Sequence, residues 1–349
     1  GGELARQCAA LGPSELTIYD ASEFNVFEID QELSRAYPNV VRRMVIGDVR
    51  DEMRLEQAMH EAAPDLVIHA AALKHVPYLE ADWSEGVKTN IFGSVNVTDA
   101  AIAANAKIFV LISTDKAIEP VSMLGATKRF AEMYAQSRDA EFVAAAAGMR
   151  LVAVRFGNVL GSVGSVVPKF KAQIARGGPL TVTSPDMIRY FMTIREACDL
   201  VLTAASHARP DGVEAERAAV YVLKMGQPVR IMDLAERMIR LAGFEPGEDI
   251  EIVVTGVRPG ERMNEILFAR DEPMAETGLD GVMAAKPVFA NRARLQGWLA
   301  RLEVALKADD RTAADSILDE AIPDFSQRHS ASPGDGAPEP SRLAAASRP

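Results

Sequence analysis

The chain has 349 residues and a formal charge of −11, with 48% of its residues hydrophobic and 25% charged. That balance fits a soluble globular chain with a large core, and it excludes a mostly disordered protein; no apolar run is long enough to cross a bilayer. The acidity opposes a nucleic-acid surface, which needs clustered Lys and Arg, but leaves room for a nucleotide held by a few local donors.

In chain order, a helical stretch from Gly1 to Leu11 turns into a strand at 16–19 that ends at Asp20. Short apolar runs at 40–46, 66–70, 108–112 and 151–156 read as further buried strands, with amphipathic helices at 52–63 and 84–104 between them. Strand and helix alternating at this spacing predict an α/β fold, a doubly wound parallel Rossmann-type sheet with right-handed crossovers. After Phe156 the pattern changes to Gly- and Pro-containing loops with short helices, which predicts a smaller C-terminal substrate-binding region. The expected organisation is a cofactor-binding domain over 1–160 and a mainly substrate-binding region over 161–325, with a strand at 219–223 returning to the main sheet. A disordered tail rich in Ser, Pro, Ala and Gly is expected over 326–349.

In a dinucleotide fold the first strand leads through a Gly-rich turn into a helix whose N-terminus holds the pyrophosphate. An acidic residue ending the second strand takes the ribose hydroxyls. Gly1 and Asp20 match the latter part of that unit at about the 20-residue spacing it requires, so the first strand and most of the Gly loop are expected ahead of Gly1. Asp48 and Val49 follow the next strand, where an adenine ring would rest, and Ala70, Ala71 and Ala72 would let backbone approach a cofactor closely. An Asp after a strand is commonly a turn residue or helix cap; here the neighbouring positions favour a ribose-binding role. A carboxylate at Asp20 would repel a 2'-phosphate, so NAD is expected rather than NADP.

Two stretches carry a more specific signal: His69-Ala70-Ala71-Ala72-Leu73-Lys74-His75-Val76-Pro77, and Ser113-Thr114-Asp115-Lys116-Ala117 followed by Gly125-Ala126-Thr127-Lys128-Arg129. Together they resemble the bacterial polysaccharide-biosynthesis UDP-N-acetylglucosamine 4,6-dehydratases, which are extended short-chain dehydrogenases/reductases. Arg155-Phe156-Gly157-Asn158, Arg189-Tyr190-Phe191-Met192-Thr193 and Arg258-Pro259-Gly260-Glu261 continue the match in order, from Gly1 to about Phe268. Many members carry membrane helices ahead of the catalytic domain. The resemblance therefore allows an inner-membrane anchor outside this chain, with the catalytic domain in the cytoplasm.

The resemblance implies a UDP-sugar substrate and a reaction in several steps. Carbon 4 is oxidised by hydride transfer to NAD, a proton leaves carbon 5, the carbon 6 hydroxyl departs as water, and the hydride returns. Such chemistry needs an acid and a base within reach of one sugar ring. The resemblance implies Asp115 as the acid and Lys116 as the base, which requires burial and mutual contact to shift both pKa values. Without the surrounding motifs, an Asp-Lys pair would read as a solvated ion pair in a turn.

Short-chain enzymes commonly place Tyr four residues before the Lys that corresponds to Lys128; Leu124 stands there, where members of the resembling family often have Met. Leucine relays no proton, so Thr114 is the candidate for handling the carbon 4 hydroxyl, and Lys128 keeps a role on the cofactor ribose. Asn158, Arg189, Arg258 and Glu261 are the expected substrate ligands, the guanidiniums for a diphosphate and Glu261 for a ribose or sugar hydroxyl. Lys74 is placed to reach the sugar or its diphosphate.

No metal site is expected: His69 reads as structural, His75 stays open, and Cys8 and Cys198 form no pair motif, which also argues against disulfides and for a reducing compartment. The expected assembly is a homo-oligomer. Two other readings share the ligands: a UDP-sugar 4-epimerase, and a sensor that binds NAD or a UDP-sugar without turnover. The Asp115-Lys116 pair separates them, since only dehydration needs an acid and a base for water loss.

Overall fold

In the computed structural model, which describes residues 1–325 apart from 146–147, 163, 209–218, 268, 270–271 and 323, strand and helix alternate through the first half. Helix α1 (Gly2–Ala10) leads to β1 (Glu15–Asp20), α2 (Glu23–Ala36) to β2 (Val41–Ile46), and α3 (Glu52–Ala62) to β3 (Leu66–His69). Then come α4 (Val76–Ala81), α5 (Trp83–Gly86), a π-helical segment (Val87–Phe92), α6 (Gly93–Ala103) and β4 (Ile108–Ile112). A 3-10 turn (Asp115–Ala117), the long α7 (Met123–Ala144) and β5 (Arg150–Arg155) complete this half.

The second half begins with β6 (Asn158–Leu160), α8 (Val166–Ala175), β7 (Leu180–Val182), β8 (Ile188–Thr193) and α9 (Ile194–His207). It continues through β9 (Val220–Leu223), β10 (Pro228–Arg230), α10 (Ile231–Leu241) and β11 (Ile252–Val254). The antiparallel strands β12 (Met274–Glu276) and β13 (Val282–Ala285) and the helices α11 (Arg292–Lys307) and α12 (Arg311–Ala321) finish it. The expected tail at 326–349 lies outside the described residues.

The main sheet runs β12-β13-β9-β5-β4-β3, with β3, β4, β5 and β9 parallel and β13 antiparallel to β9. β5 is buried along its whole length, which explains its unbroken apolar run. One expectation changes: β1 and β2 form a separate parallel pair. Leu16 and Ile18 of β1, and Leu66 and Ile68 of β3, line a cleft of about 1450 Å³ shared with the start of α1. Helices α2 and α3 are started by side chains: Ser22 accepts from Asn25 N and Asp51 from Arg54 N, each satisfying an end N–H.

The single helix expected at 84–104 is interrupted by the π segment. The irregularity brings the buried Asn90 onto the loop after β3: its side chain accepts from Leu73 N at 2.9 Å and donates to Leu73 O at 3.0 Å. Local π turns of this kind re-aim one side chain within an otherwise helical run.

The smaller region has its own core around Phe170, Leu180, Val182, Met187, Ile231 and Ile239. Two parts of the span expected to serve the substrate do otherwise. β12 and β13 extend the main sheet, while α11 and α12 pack Leu295, Trp298, Leu302 and Leu318 against α7 and the α4–α5 segment. Each fully buried Leu of that contact contributes about 1.5–3 kcal/mol. Among the described residues no helix is long and apolar enough to cross a membrane.

Candidate active site at the end of β4

The end of β4 is tied to β5 and the residue after it: Ser113 N donates to Val154 O at 2.8 Å and Asp115 N to Phe156 O at 3.1 Å. The chain then tightens into the 3-10 turn, where Thr114 Oγ1 donates to Asp115 Oδ1 at 2.9 Å and accepts from Lys116 N. Lys116 Nζ lies 3.0 Å from Asp115 Oδ1 and 3.0 Å from Glu265 Oε1. Glu265 Oε1 in turn forms an ion pair with Arg189 Nε at 3.1 Å. α7 packs closely over this turn because Gly125 leaves room for the Lys116 carbonyl, with which any Cβ would collide.

Burial pushes the Asp115 carboxyl above its ordinary range; the Lys116 charge opposes that shift and Glu265 adds to it. Its second oxygen, Oδ2, is buried with no hydrogen-bond partner among the described residues, a position open to a proton during turnover. Lys116 moves against expectation: burial pulls its pKa down, but the carboxylates of Asp115 and Glu265 outweigh burial and hold it above the ordinary lysine value. The free protein therefore holds Lys116 as an ammonium, because two carboxylates share it.

Beneath the turn lies a largely buried charge network. Ser113 Oγ donates to Glu132 Oε1 at 2.6 Å, Arg155 grips Glu132 through Nε at 2.8 Å and NH2 at 2.7 Å, and Arg155 NH1 reaches Glu272 at 2.6 Å. Paired this way, the charges are satisfied and Ser113 is held in place.

Of the expected cofactor residues, Gly1, Asp20, Ala70 and Ala71 line the cleft between β1 and β3. Asp20 Oδ1 accepts from Ser22 N at 2.8 Å. Asp48 is instead gripped by Arg50, and the Val49 side chain is buried against Gly93. Ala72 is half-buried, in the loop held by Asn90. Lys128 is buried, donates to Ile112 O at 3.1 Å, and is pulled down to about 8 by burial. Leu124 is packed in the core with Met123 and Leu79.

Of the expected substrate residues, Asn158, Arg189 and Glu261 line a second cleft of about 170 Å³ together with Lys116. Arg189 is largely spent within the protein: besides Glu265 it donates to the carbonyls of Ile188, Met263 and Arg262 at 2.8–3.0 Å. It clamps the segment carrying Glu265, and little of its donor capacity remains for a diphosphate. Arg258 NH2 donates to Glu261 Oε1 at 2.7 Å and is half exposed. Glu261 Oε2 is buried without a partner. Lys74 is exposed at the rim of its loop, and burial of its stem lowers its pKa.

His69 is buried, hydrogen-bonded to Ser94 Oγ at 2.9 Å and pulled down to about 3 by burial, as a neutral core imidazole. Glu265, Arg262 and Asn90 went unnoticed in the sequence. The only trace of Glu265 was a carboxylate four positions after Glu261.

A Rossmann-type parallel sheet with an Asp-Lys turn at a strand's C-terminal end, facing a smaller substrate region, defines an extended short-chain dehydrogenase/reductase. Residues 1–287 match the family model described as "Polysaccharide biosynthesis protein", and the chain belongs to that family of nucleotide-sugar dehydratases and epimerases in polysaccharide biosynthesis. It is 46% identical over 273 residues to the capsular polysaccharide biosynthesis protein CapD of Staphylococcus aureus, covering 78% of this chain and 44% of that protein. The chain thus spans less than half the length of that relative. It is 35% identical over 281 residues to a UDP-N-acetylglucosamine 4,6-dehydratase (inverting) of Campylobacter jejuni, covering 79% of this chain and 75% of the other. Among solved structures, Pen from Bacillus thuringiensis superposes with a TM-score of 0.71 at 33% identity, covering 83% of this chain and 84% of that one.

Proposed function

We propose that the protein is a UDP-N-acetylglucosamine 4,6-dehydratase that uses NAD and forms a UDP-4-keto-6-deoxy sugar. The observation that carries this reading is the Asp115–Lys116 pair: an amine and a carboxyl 3.0 Å apart just past a strand's C-terminal end, beside a cleft lined by Lys116 itself. The likeness to the Campylobacter jejuni dehydratase supports the choice of sugar.

The proton count balances. In the ion pair the proton sits on Lys116; its transfer along the hydrogen bond to Asp115 gives a neutral amine and a carboxylic acid. Lys116 then takes the carbon 5 proton, which a carbonyl at carbon 4 makes acidic, and the electron pair forms the carbon 5–carbon 6 double bond. Asp115 gives its proton to the carbon 6 hydroxyl, which leaves as water. Elimination leaves the ion pair. As the hydride returns to carbon 6, the Lys116 ammonium would give its proton back to carbon 5, and the proton released from the carbon 4 hydroxyl on oxidation, passed on through Thr114 and Asp115, would restore the ion pair. Thr114, bonded to Asp115, aligns the acid and is the hydroxyl available to the carbon 4 oxygen, because Leu124 is buried in the core.

The residues fit NAD. At the C-terminal ends of β1 and β3 the Asp20 carboxylate, for ribose hydroxyls, and the small residues Ala70 and Ala71 line the cleft with the N-terminus of α1, and that end would hold the cofactor. Lys128 would donate to the nicotinamide ribose. When bound, the nicotinamide supplies the hydride acceptor for carbon 4. The facing edges of β1 and β3 suit an added parallel strand leading into α1, which would join β1 and β2 to the main sheet.

The test is incubation of the chain, and of a version extended ahead of Gly1 by a strand and glycine turn, with NAD and UDP-N-acetylglucosamine. Mass spectrometry should find loss of one water in the extended version. An unchanged mass with inverted carbon 4 would make the protein an epimerase; binding with no change would make it a sensor.

A further inference from the structure

Glu265 has no part in the acid–base assignment above, yet its carboxylate touches the base directly. Its side chain is only 4% exposed, and its Oε1 lies 3.0 Å from Lys116 Nζ and 3.1 Å from Arg189 Nε. A buried carboxylate with two cationic partners is placed with some precision, and the means of placement are visible. Arg189, on β8, also binds the carbonyls of Arg262 and Met263, so the segment that carries Glu265 is pinned to the substrate region. Arg262 pins the same segment to the catalytic side by donating to the carbonyls of Ile118 and Glu119, just past the 3-10 turn. Glu265 is thus held across the line where the two regions meet.

We propose that Glu265 is a positioning residue for the dehydratase pair: it fixes the place of the Lys116 amine and its protonated state between turnovers. This rests on the dehydratase reading for its consequence in catalysis, but the contact itself does not.

The charged groups facing Lys116 are Asp115 on its own turn, Glu265 from the opposite segment, and beyond Glu265 the guanidiniums of Arg189 and Arg262. Burial disfavours the ammonium; the carboxylates reverse that. Glu265 also acts on Asp115 as a like charge and pushes its pKa up, which eases the proton's transfer to it during turnover. One carboxylate therefore raises both members of the pair in the same direction. That differs from a structural role, which would lower activity without moving both ionisations together. With Lys116 shared between two oxygens at equal distance, the amine has a partner left when Asp115 becomes the acid, so it stays in place while its proton moves.

The experiment uses Glu265→Gln, which keeps the side chain's size and an acceptor oxygen but removes the charge. The pH midpoint of Lys116 is read by pulse acylation with acetic anhydride, followed by peptide mass spectrometry, in wild type and variant. Wild-type Lys116 should titrate at or above an ordinary lysine despite its burial, and the variant's midpoint should fall by about one pH unit or more. A wild-type midpoint below ordinary lysine, or an unmoved midpoint in a folded Glu265→Gln protein, would overturn the proposal.

In turnover, both limbs of the pH profile of kcat/KM should move to lower pH in Glu265→Gln. Movement of one limb only, or a lower plateau with fixed limbs, would sink the catalytic part. If wild type releases no water while the Lys116 midpoint still drops in the variant, the dehydratase reading fails and the placement of Lys116 by Glu265 stands.

Discussion

Lys116 Nζ donates to Asp115 Oδ1 across 3.0 Å although the two residues are neighbours in the chain. On a strand their side chains would leave opposite faces. They meet because β4 ends at Ile112 and the backbone tightens from Asp115 into the 3-10 turn, capped by Thr114. Acid and base are therefore one local unit, and their roles can be separated by substitution. Asp115→Asn should reduce water loss by about 100- to 10,000-fold while still exchanging the carbon 5 proton with deuterated solvent at a pH high enough to deprotonate Lys116, which no longer has Asp115 to take its proton. Lys116→Met should lose both. Proton NMR of the sugar nucleotide in deuterium oxide distinguishes them, and exchange surviving in Lys116→Met would reverse the assignment.

Lys128 is held near a pKa of about 8 by burial, so its charge is present below that pH and lost above it. If it donates to the ribose of NAD as an ammonium, affinity for NAD in the upstream-extended chain should fall several-fold as pH rises through that value. Lys128→Met should bind more weakly and without this dependence. Calorimetric titration across the range checks it; parallel curves for the two proteins would remove Lys128 from the cofactor site.

Two glycines in helices should respond in opposite directions to alanine. In Gly125→Ala the new methyl meets the Lys116 carbonyl, and the strain of about 1–3 kcal/mol exceeds the helix-propensity gain of about 1 kcal/mol. The variant should be less stable and slower. Gly297, in α11, has open space at its Cβ position, so Gly297→Ala should keep the propensity gain. Thermal unfolding of both variants reads the two signs directly.

Glu132 sits fully buried between Arg155 and Arg129. Burial pushes its carboxyl up, but Arg155 first and then Arg129, with hydrogen bonds from Arg155 and Ser113, hold it below the ordinary range. A depressed carboxylate contributes stability that is complete above its unfolded pKa of about 4.3 and is lost as pH falls through the lower folded value. Glu132→Ala, which leaves Arg155 without this partner, should cost about 3–5 kcal/mol at neutral pH. The loss should shrink on acidification; urea unfolding at several pH values measures it, and a pH-independent difference would contradict the pairing.

What the sequence determined by itself was whatever depends on short stretches of chain. The apolar runs of β3, β4 and β5 read as buried strands because both faces of a central parallel strand are covered. The positions of Asp20, Thr114, Asp115 and Lys116 at or just past strand ends, where such sheets face ligands, could be read from the chain. The family was legible from many motifs in order.

Tertiary structure alone decided the rest. Glu265 reaches Lys116 from far along the chain, through a segment clamped by Arg189 and Arg262, and no spacing rule announces such a contact. The same clamp draws Arg189 into the protein and away from the diphosphate role its charge suggested. Asn90 found its place through a π turn, and α11 and α12 found theirs on α7 through apolar side chains that name no partner. The charge of Lys116 was likewise beyond the sequence: burial and two carboxylates compete there at contact distance, and only their arrangement in space decides which prevails.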